Sequence, residues 1–446
     1  MKLHGLLVAA IVLAALSGTL YWSNHRKPVD DSTVKASPDA PVKIVALNEA
    51  DIASLTIHRK DEPELDLSRN SSGAWQITAP KALAADQIAV SGILSTLSLL
   101  NSERLVEDRV TELGQYGLAA PTLEVDVALK SGKTQKLLVG NQTPSGSAYY
   151  FMLGGDPRLF TLASYSKNSL DKSANDLRDK RLLTTDFDKA SQIELLAEKS
   201  GKKQDVTLAR NKDEWQILKP RPLRADGSQV EELIRTLRDG RIDTASDTDD
   251  AKNASAFRSA TAVATVRVTD TSSTEELEVR KSANDYLAKS SVLSGIYKVP
   301  AAVGTGLDKS LDDFRNKKLF DFGYQEPSKI ELHDGAKSYF LTHAGSDWWG
   351  ADSKKLDEGT VQALLGKIRD LAAQKFPDAG FTTPILELSV SSDDGKRVEK
   401  VQIAKNGDTY IAKRANEPAL YEVAGSMVTE LQKAAAEVKP APEPKK

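Results

Sequence analysis

Apolar side chains recur at helical spacing in three separate stretches of the chain, and each stretch follows an aspartate. The first stretch has its apolar residues at positions i, i+3, i+4 and i+7, namely Val90, Ile93, Leu94 and Leu97. Two later stretches repeat this spacing, with Val230, Leu233, Ile234 and Leu237 in one and Val361, Leu364, Leu365 and Ile368 in the other. The pattern predicts three amphipathic helices, each with one buried stripe.

The aspartate lies four residues before the first apolar position in every stretch, at Asp86, Asp226 and Asp357. A carboxylate at that position accepts hydrogen bonds from the free N–H groups of the first helical turn and favours the helix dipole. Each aspartate is therefore predicted to begin a helix.

Between these helices, apolar and polar residues alternate over short runs such as Leu123–Val127, Val263–Val268 and Leu386–Val390. Alternation of this kind is typical of a strand with one face towards water. Turns such as Asn406-Gly407 suit hairpins between the strands. The predicted fold class is α+β, with an antiparallel sheet and one principal helix packed on one of its faces.

The helices and strands belong to a longer repeat. Trp75, Pro80 and Asp86 recur as Trp215, Pro220 and Asp226, all at an offset of 140 residues, and Asp357 with Trp348 or Trp349 upstream marks a third copy. A solenoid unit has about 20–50 residues, so each repeat is predicted to be a domain. The predicted units are residues 46–183, 184–321 and 322–438.

The first two units end alike, with Asp176-Leu177-Arg178 matching Asp313-Phe314-Arg315. We interpret this ending as a short basic helix that joins one unit to the next. No such ending follows the third unit, which is therefore predicted to be truncated. Residues 439–446, rich in Pro and Lys, are predicted to be a disordered tail.

The N-terminal residues 1–27 carry a secretory signal, because Leu6–Leu16 is wholly apolar. Cleavage is one alternative, with small residues at Ala15–Ser17. A retained transmembrane anchor is the other, and we favour it because Tyr21 and Trp22 suit the aromatic belt of a bilayer. The polar composition and spaced prolines of residues 28–45 then predict a linker.

This anchor places the globular part in the periplasm or outside the cell, although Arg26 and Lys27 oppose that orientation under the positive-inside rule. Membrane lipid is thus one predicted partner. The net charge of −3, with acids and bases interspersed, disfavours nucleic-acid binding. The chain has no cysteine, which excludes disulfides and thiol chemistry.

Motifs for catalysis are missing from the sequence, so no catalytic, cofactor-binding or metal-binding residues are predicted and the expected class is non-enzymatic. His58 and His333 occupy the same strand position in units one and three. Histidines on a wet sheet face explain both, whereas a metal site would need converging ligands.

The tryptophans and the basic closures are the candidates for contact. Trp75 and Trp215 could stack on carbohydrate, but their position where sheet and helix meet favours a role in the core. Adjacent strand residues face opposite ways, so one of Trp348 and Trp349 is expected outside. The basic residues of the closures, Arg178, Arg181 and Arg315, could bind anionic lipid or cell-wall polymer. Alternatively they lie on a solvated helix face, and we prefer this second interpretation.

Several motifs in order resemble the bacterial family called DUF4340, a domain of unknown function. They are the Trp-Gln-Ile segment with its Pro and Ala-Asp, the Tyr116–Pro121 run, the Gly140–Gly146 hairpin and the Asp176–Leu183 closure. The second unit departs from this pattern at Phe257–Ala260. The resemblance implies membrane-anchored envelope proteins, some associated with ABC-type transport systems similar to those of gliding motility.

Two hypotheses follow from these observations. The first is a non-catalytic, membrane-anchored periplasmic binding or scaffold protein, an accessory of an ABC-type transport or gliding-like surface machine with an envelope protein as partner. The second is a protein that binds or hydrolyses cell-wall glycan.

Overall fold

A computed structural model describes residues 44–442 except 46, 200, 201, 213, 245–249 and 324. The anchor predicted over residues 1–27 and the linker predicted over 28–45, save its last two residues, lie outside the described residues. No helix in the described part of the chain is long and apolar enough to cross a membrane. The chain forms two compact units, one ending at Asp179 and the other beginning at Lys180.

The first unit contains one antiparallel sheet. Its strands are β1 (Ile52–Arg59), β2 (Leu65–Arg69), β3 (Trp75–Ala79), β4 (Leu83–Ala84), β5 (Arg104–Glu107), β6 (Leu123–Leu129), β7 (Thr134–Gln142), β8 (Ala148–Leu153) and β9 (Leu159–Ala163). Their order across the sheet is β4-β3-β2-β1-β6-β7-β8-β9-β5.

The second unit contains two further antiparallel sheets. The second sheet has β10 (Gln192–Lys199), β11 (Lys202–Asn211), β12 (Glu214–Lys219), β13 (Leu223–Arg224), β14 (Thr261–Thr269), β15 (Thr274–Ser282), β16 (Asp285–Ser290) and β17 (Ile296–Val299). The third has β18 (Lys329–Asp334), β19 (Lys337–Ala344), β20 (Asp347–Gly350), β21 (Ala373–Lys375), β22 (Pro384–Ser392), β23 (Arg397–Asn406), β24 (Thr409–Arg414) and β25 (Leu420–Val423). Their orders are β13-β12-β11-β10-β14-β15-β16-β17 and β20-β19-β18-β22-β23-β24-β25-β21.

Helices accompany each sheet. Those of the first unit are α1 (Gln87–Ser98), α2 (Ser164–Leu170) and α3 (Ala174–Leu177). Those of the second unit are α4 (Gly227–Asp239), α5 (Asp250–Ser259), α6 (Ala301–Leu307), α7 (Leu311–Phe314), α8 (Glu358–Asp370) and α9 (Gly425–Ala436). The antiparallel sheets and the accompanying helices confirm the α+β class in its coarse form.

The three principal helices α1, α4 and α8 begin as predicted. Asp86 accepts hydrogen bonds from the N–H groups of Ile88 and Ala89, and Asp226 does the same for the second helix. Asp357 accepts one such bond, from Thr360. The first residue of each apolar stripe, four positions after the cap, is fully buried against its sheet, at Val90, Val230 and Val361. The predicted caps and buried stripes are confirmed.

The segments that close the first two repeats differ from the prediction. Each contains a four-residue helix, α3 or α7, whose Ser and Asp form a capping box. The chain then becomes extended, and Arg178 and Arg315 pair as isolated bridges with Ala85 and Ala225. The interpretation as a short basic helix is therefore wrong, because the basic residues follow the helix and form β-type pairs with the edge of their own sheet.

The third repeat closes in the same way, although its sequence lacks the motif. Asp86 and Asp226 donate their backbone N–H to Leu177 and Phe314, both at 2.8 Å. Asp357 donates to Lys439 at 2.9 Å, and Leu356 pairs with Pro440. Residues 439–442 of the tail predicted to be disordered are therefore ordered through this pairing, and the third repeat is not truncated at this edge.

Each repeat also receives an entering segment beside the end of its principal helix. Ile44, Leu182 and Leu319 donate their backbone N–H to the carbonyls of Leu100, Gly240 and Leu371, at 3.3, 3.0 and 3.0 Å. The next residue is buried in the core each time, at Val45, Leu183 and Phe320. The predicted linker therefore ends before Ile44, because its last residues are core.

Candidate functional site

The three marker tryptophans lie on equivalent strands, each under a cross-strand partner. The Arg69 guanidinium lies 4.7 Å from the Trp75 ring centroid, and Arg210 lies 5.3 Å from that of Trp215. In the third repeat a stacked histidine replaces arginine, with the His343 and Trp348 ring centroids 4.9 Å apart. The three tryptophan residues are 5, 6 and 2% exposed. The burial predicted for Trp75 and Trp215 is confirmed, and a carbohydrate-stacking role for them is excluded by it.

A proline follows each of the first two marker tryptophans, at the point where the strand of that tryptophan ends. The Ala79-Pro80 and Lys219-Pro220 peptide bonds are both cis. Each lies where its strand ends and the chain turns into the short edge strand before the principal helix. Pro80 and Pro220 are thus markers of a turn, which agrees with their place in the repeat.

The adjacent pair Trp348 and Trp349 divides between the two faces of the third sheet. Trp348 is core, whereas Trp349 is 36% exposed. The expectation that one of the two lies outside is confirmed. The prediction of Trp348 as a contact residue is therefore wrong, and of the two tryptophans only Trp349 remains a candidate.

The basic candidates divide in a similar way. Arg178 is 8% exposed and Arg315 is 5% exposed, whereas Arg181 is exposed. Arg315 lies 3.6 Å over the Phe376 ring and 3.3 Å from Asp312. Burial lowers the pKa of the Arg315 guanidinium, and Asp312 opposes the shift. A lipid-binding or solvated role is wrong for Arg178 and Arg315, because their guanidinium groups are enclosed at the sheet edge.

The outer face of the third sheet, which points away from its principal helix, carries exposed aromatic groups. Thr342 pairs with Trp349 across β19 and β20, and Phe340 lies two residues away on the same face. Phe340 is 38% exposed, and Val398 on β23 is 51% exposed. Large apolar side chains thus flank the polar centre of this face.

A groove of about 430 Å³ occupies that polar centre. It is lined by residues that include Glu331, His333, Glu387, Lys400, Gln402 and Lys413. The His333 Nδ1 lies 2.8 Å from the Ser338 hydroxyl, and its ring meets the Phe340 ring edge-on at 5.5 Å. The groove therefore combines both charges with hydrogen-bonding groups beside an aromatic rim. We call Trp349, Phe340, Val398 and this groove the third outer face.

The first sheet has a related cluster in its own unit. His58 lies opposite Glu124 in the strand register, as His333 lies opposite Glu387. Ligand atoms of His58, Glu124 and Asp126 lie within 4.8 Å of one another, which suits a metal ion. The Lys136 ammonium contacts both carboxylates, lying 3.4 Å from Asp126. Its hydrogen bond to Glu124 raises the pKa of Lys136, and this ammonium group already offsets part of the negative charge of the two carboxylates.

Other segments cover parts of the first and second outer faces. Leu118, Met152 and Leu159 form a small separate core on the first sheet. On the second sheet α5 packs over β15 and β17, where Arg280 lies 4.8 Å over the Phe257 ring. The sequence analysis did not identify Phe340 and Val398 as candidate contact residues. Their positions in strands of alternating polarity nevertheless indicate the solvent-facing side of the sheet.

Comparison with protein families gives one match. The model of DUF4340, a domain of unknown function, matches residues 75–217 and 215–386. Both matches begin at a marker tryptophan, Trp75 or Trp215, and together they span more than half of the chain. The chain belongs to the DUF4340 family. A search of curated proteins finds no match.

Proposed function

We propose that this protein is a non-catalytic, membrane-anchored scaffold of the bacterial envelope, and that its third outer face binds a protein partner. The observation that carries the proposal is the exposure of Trp349 and Phe340 beside a groove of mixed charge. Aromatic side chains are enriched at protein interfaces, and here they border a groove that offers hydrogen-bonding groups. The partner is an envelope protein, such as a subunit of an ABC-type transport or surface machine.

Charge favours a protein partner over a uniformly charged polymer. The acids Glu331 and Glu387 lie on β18 and β22, and the bases Lys400 and Lys413 lie on the adjoining strands β23 and β24. Charges of both signs side by side set the register of a partner but create no broad field for a polyanion. The groove therefore suits a surface with its own pattern of charged and apolar groups.

The paired entering and closing segments support a scaffold. Leu319 and Phe320 belong to the third core, while Arg315, four residues earlier, pairs with the edge of the second sheet. The connection between these two repeats thus has its side chains held in folded structure on both sides. Such a connection favours a fixed relation between binding face and neighbouring repeat, as a scaffold requires.

The anchor belongs to the same proposal and rests on the apolar run Leu6–Leu16 with Tyr21 and Trp22. Intact-mass analysis of the native protein tests retention, since a mature chain beginning near Gly18 contradicts the anchor. Protease added to spheroplasts tests orientation. Digestion only after the membrane is breached contradicts a periplasmic location.

Site-specific photo-crosslinking in living cells tests the binding face. A photoreactive amino acid replaces Trp349 in one variant and Leu196 in the control, because Leu196 is 40% exposed on the outer face of the second sheet. We expect a discrete crosslinked envelope protein from position 349 that the Phe340→Ala substitution weakens. Equal products from both positions would contradict the proposal.

Glycan binding is the second candidate, since an exposed ring such as Trp349 can stack on a sugar face. Crosslinks at position 349 to peptidoglycan, with none to protein, would favour it. Release of soluble sugars by the purified chain would further indicate the hydrolase alternative.

A further inference from the structure

The principal helix of the first sheet, α1, has an outward surface unlike those of its two counterparts. The α1 sequence contains no charged residue. The equivalent helix α4 carries Glu231, Glu232, Arg235, Arg238 and Asp239, and α8 carries Glu358, Lys367, Arg369 and Asp370. All three helices bury the same apolar stripe, so the difference is confined to the side away from the core.

Along one side of this surface the Glu49 carboxylate accepts hydrogen bonds from the Ser95 and Ser98 hydroxyls, at 2.8 and 3.3 Å. Two large apolar residues stand at its ends. Ile88 is 85% exposed and Leu99 is 70% exposed. Eleven residues at 3.6 per turn return to within about 20° of the starting direction, so both point the same way and lie about 16 Å apart. When α1 and α4 are aligned at their caps, Asp86 and Asp226, the positions of Ile88 and Leu99 correspond to Ser228 and Asp239 in α4. Exposed apolar groups at both ends therefore belong to α1 alone among the three.

The side chains between them are small and are ordered symmetrically about the helix midpoint. Ile88 mirrors Leu99, and the inner positions pair Ser91 with Thr96 and Gly92 with Ser95. A two-fold axis through this midpoint brings the large end of one helix onto the large end of an antiparallel copy. The small residues then let the two backbones approach closely at the centre.

We infer that α1 is a self-complementary surface through which two copies of this chain associate, with their α1 helices antiparallel. Ile88 of each copy packs beside Leu99 of the second copy. Leu99 also borders an open pocket of about 750 Å³, whose lining includes Leu47, Leu94 and the charged Glu49 and Arg69. The pocket leaves room beside Leu99 for the incoming isoleucine.

The point where the N-terminal chain joins the fold supports a second copy as the occupant. Ile44 donates its N–H to Leu100, directly after the exposed Leu99. Residues 1–43 therefore join the fold next to this end of α1, and an anchor in that segment would keep this end of α1 close to the anchor. Two copies anchored in one membrane reach a high effective concentration, at which a small interface suffices. This tether rests on the proposed function, whereas the pairing of the helices does not.

Cysteine crosslinking of the full-length chain in detergent micelles tests the pairing, because the native chain has no cysteine. Across the proposed axis the two Gly92 positions are offset by only about 4–5 Å along the helix. A Cβ added at Gly92 meets no atom within 4 Å, so Gly92→Cys is accommodated. We expect Gly92→Cys to form a disulfide dimer under mild oxidation, and Glu232→Cys at the matching position of α4 to stay monomeric.

The antiparallel geometry has its own test. Ile88→Cys and Leu99→Cys should each fail to crosslink alone, because like positions are about 16 Å apart and a disulfide needs Cα atoms within about 7 Å. Mixing the two variants should yield a heterodimer. Self-crosslinking of either variant as strong as that of the mixture would overturn the antiparallel pairing.

A charge variant separates association from folding. Gly92→Glu introduces the charge that α4 carries at this position, and it should weaken dimerisation at least about tenfold in mass photometry. Gly366→Glu on α8, also in open space, is the control and should have no effect. A monomeric native chain would overturn the inference. A second result would also overturn it. If fluorophores attached at positions 88 and 99 are quenched only by spin-labelled lipid, then α1 contacts the bilayer and not a second copy of the chain. Failure of the anchor would leave these micelle results unchanged.

Discussion

The outer faces of the second and third sheets differ, although their inner faces are built alike. In the second repeat the connection from principal helix to central strand, residues 240–260, contains α5, and Phe257 is only 6% exposed. The corresponding connection in the third repeat, residues 371–383, contains only the edge strand β21. Trp349 and Phe340 remain exposed on that sheet. The repeat thus keeps one buried architecture and varies the opposite surface, where binding specificity can change without loss of the core.

The largest expected effect contrasts buried with exposed tryptophan. Trp75→Ala and Trp215→Ala should each lower the free energy of unfolding by about 3–5 kcal/mol, because each removes a large core side chain. Trp349→Ala should cost less than about 1 kcal/mol, as expected at a surface position. Chemical denaturation of the three variants gives the comparison. A large loss for Trp349→Ala would show that the third outer face is structural.

A smaller effect concerns the glutamates that hold the entering segments. Glu275 accepts bonds from the N–H groups of Thr184 and Thr185, and Glu399 accepts one from Asp321 at 3.1 Å. Glu399 also pairs with Arg414 at 3.0 Å. Glu399→Ala should cost about 1.5–3 kcal/mol, because buried Arg414 and the Asp321 N–H lose this charged acceptor, whereas Arg414 keeps its second partner Glu417 at 2.8 Å.

Strand register provides a matched control for this prediction. Val127, Val268 and Val390 lie opposite Gln135, Glu275 and Glu399, so the first repeat has a neutral residue at this position. Gln135→Ala should cost clearly less than Glu399→Ala in the same denaturation experiment. Equal losses would mean that charge at the entering segment is unimportant.

The helix caps should give an effect of about 1 kcal/mol. Asp226→Ala leaves two N–H groups of α4 without their acceptor, whereas Asp357→Ala removes one such bond in α8. Asp226→Ala should therefore be the more destabilising change, and Asp226→Asn should recover most of the loss. Thermal unfolding of the three variants measures the order, which a greater loss for Asp357→Ala would contradict.

The smallest effect near neutral pH involves Tyr421, which hydrogen-bonds Glu417 at 2.6 Å. Burial raises the pKa of the Tyr421 hydroxyl above its usual value of 10.0, although Arg224 opposes the shift. The folded state therefore favours the neutral phenol. Its contribution to stability is complete below the unfolded pKa and is lost as pH rises through the folded pKa.

Denaturation of the native chain and of Tyr421→Phe from about pH 9 to 12 tests this sign. The native chain should lose stability with rising pH more steeply than the variant. Parallel curves would show that burial of the phenol does not couple folding to pH.

Much of the inner architecture could be predicted from residue spacing, because helical and strand periodicities are local. Val90, Val230 and Val361 were assigned to the core on this basis, and all three are buried. The caps at Asp86, Asp226 and Asp357 follow from one short spacing. The division of Trp348 and Trp349 between two faces follows equally from the two-residue period of a strand.

Burial at the repeat edges could not be predicted in this way. Arg178 and Arg315 have a basic, surface-like sequence, yet Ala85 and Ala225, some 90 residues earlier, pair with them. Pro440 lies in a stretch whose composition is typical of disorder, but Leu356 provides its partner. In each case a distant backbone edge supplies the pairing, and local composition carries no information about it.

The sequence alone thus determined the repeat, the caps, the alternating strands and the apolar N-terminal run, since each is written in neighbouring residues. Only the tertiary structure decided which outer face is covered and which remains open. Phe257 and Phe340 are both aromatic, but the first lies under a neighbouring strand's Arg280 and the second faces solvent. Exposure depends on what long-range strand order brings above a side chain, and that is a property of the assembled sheet.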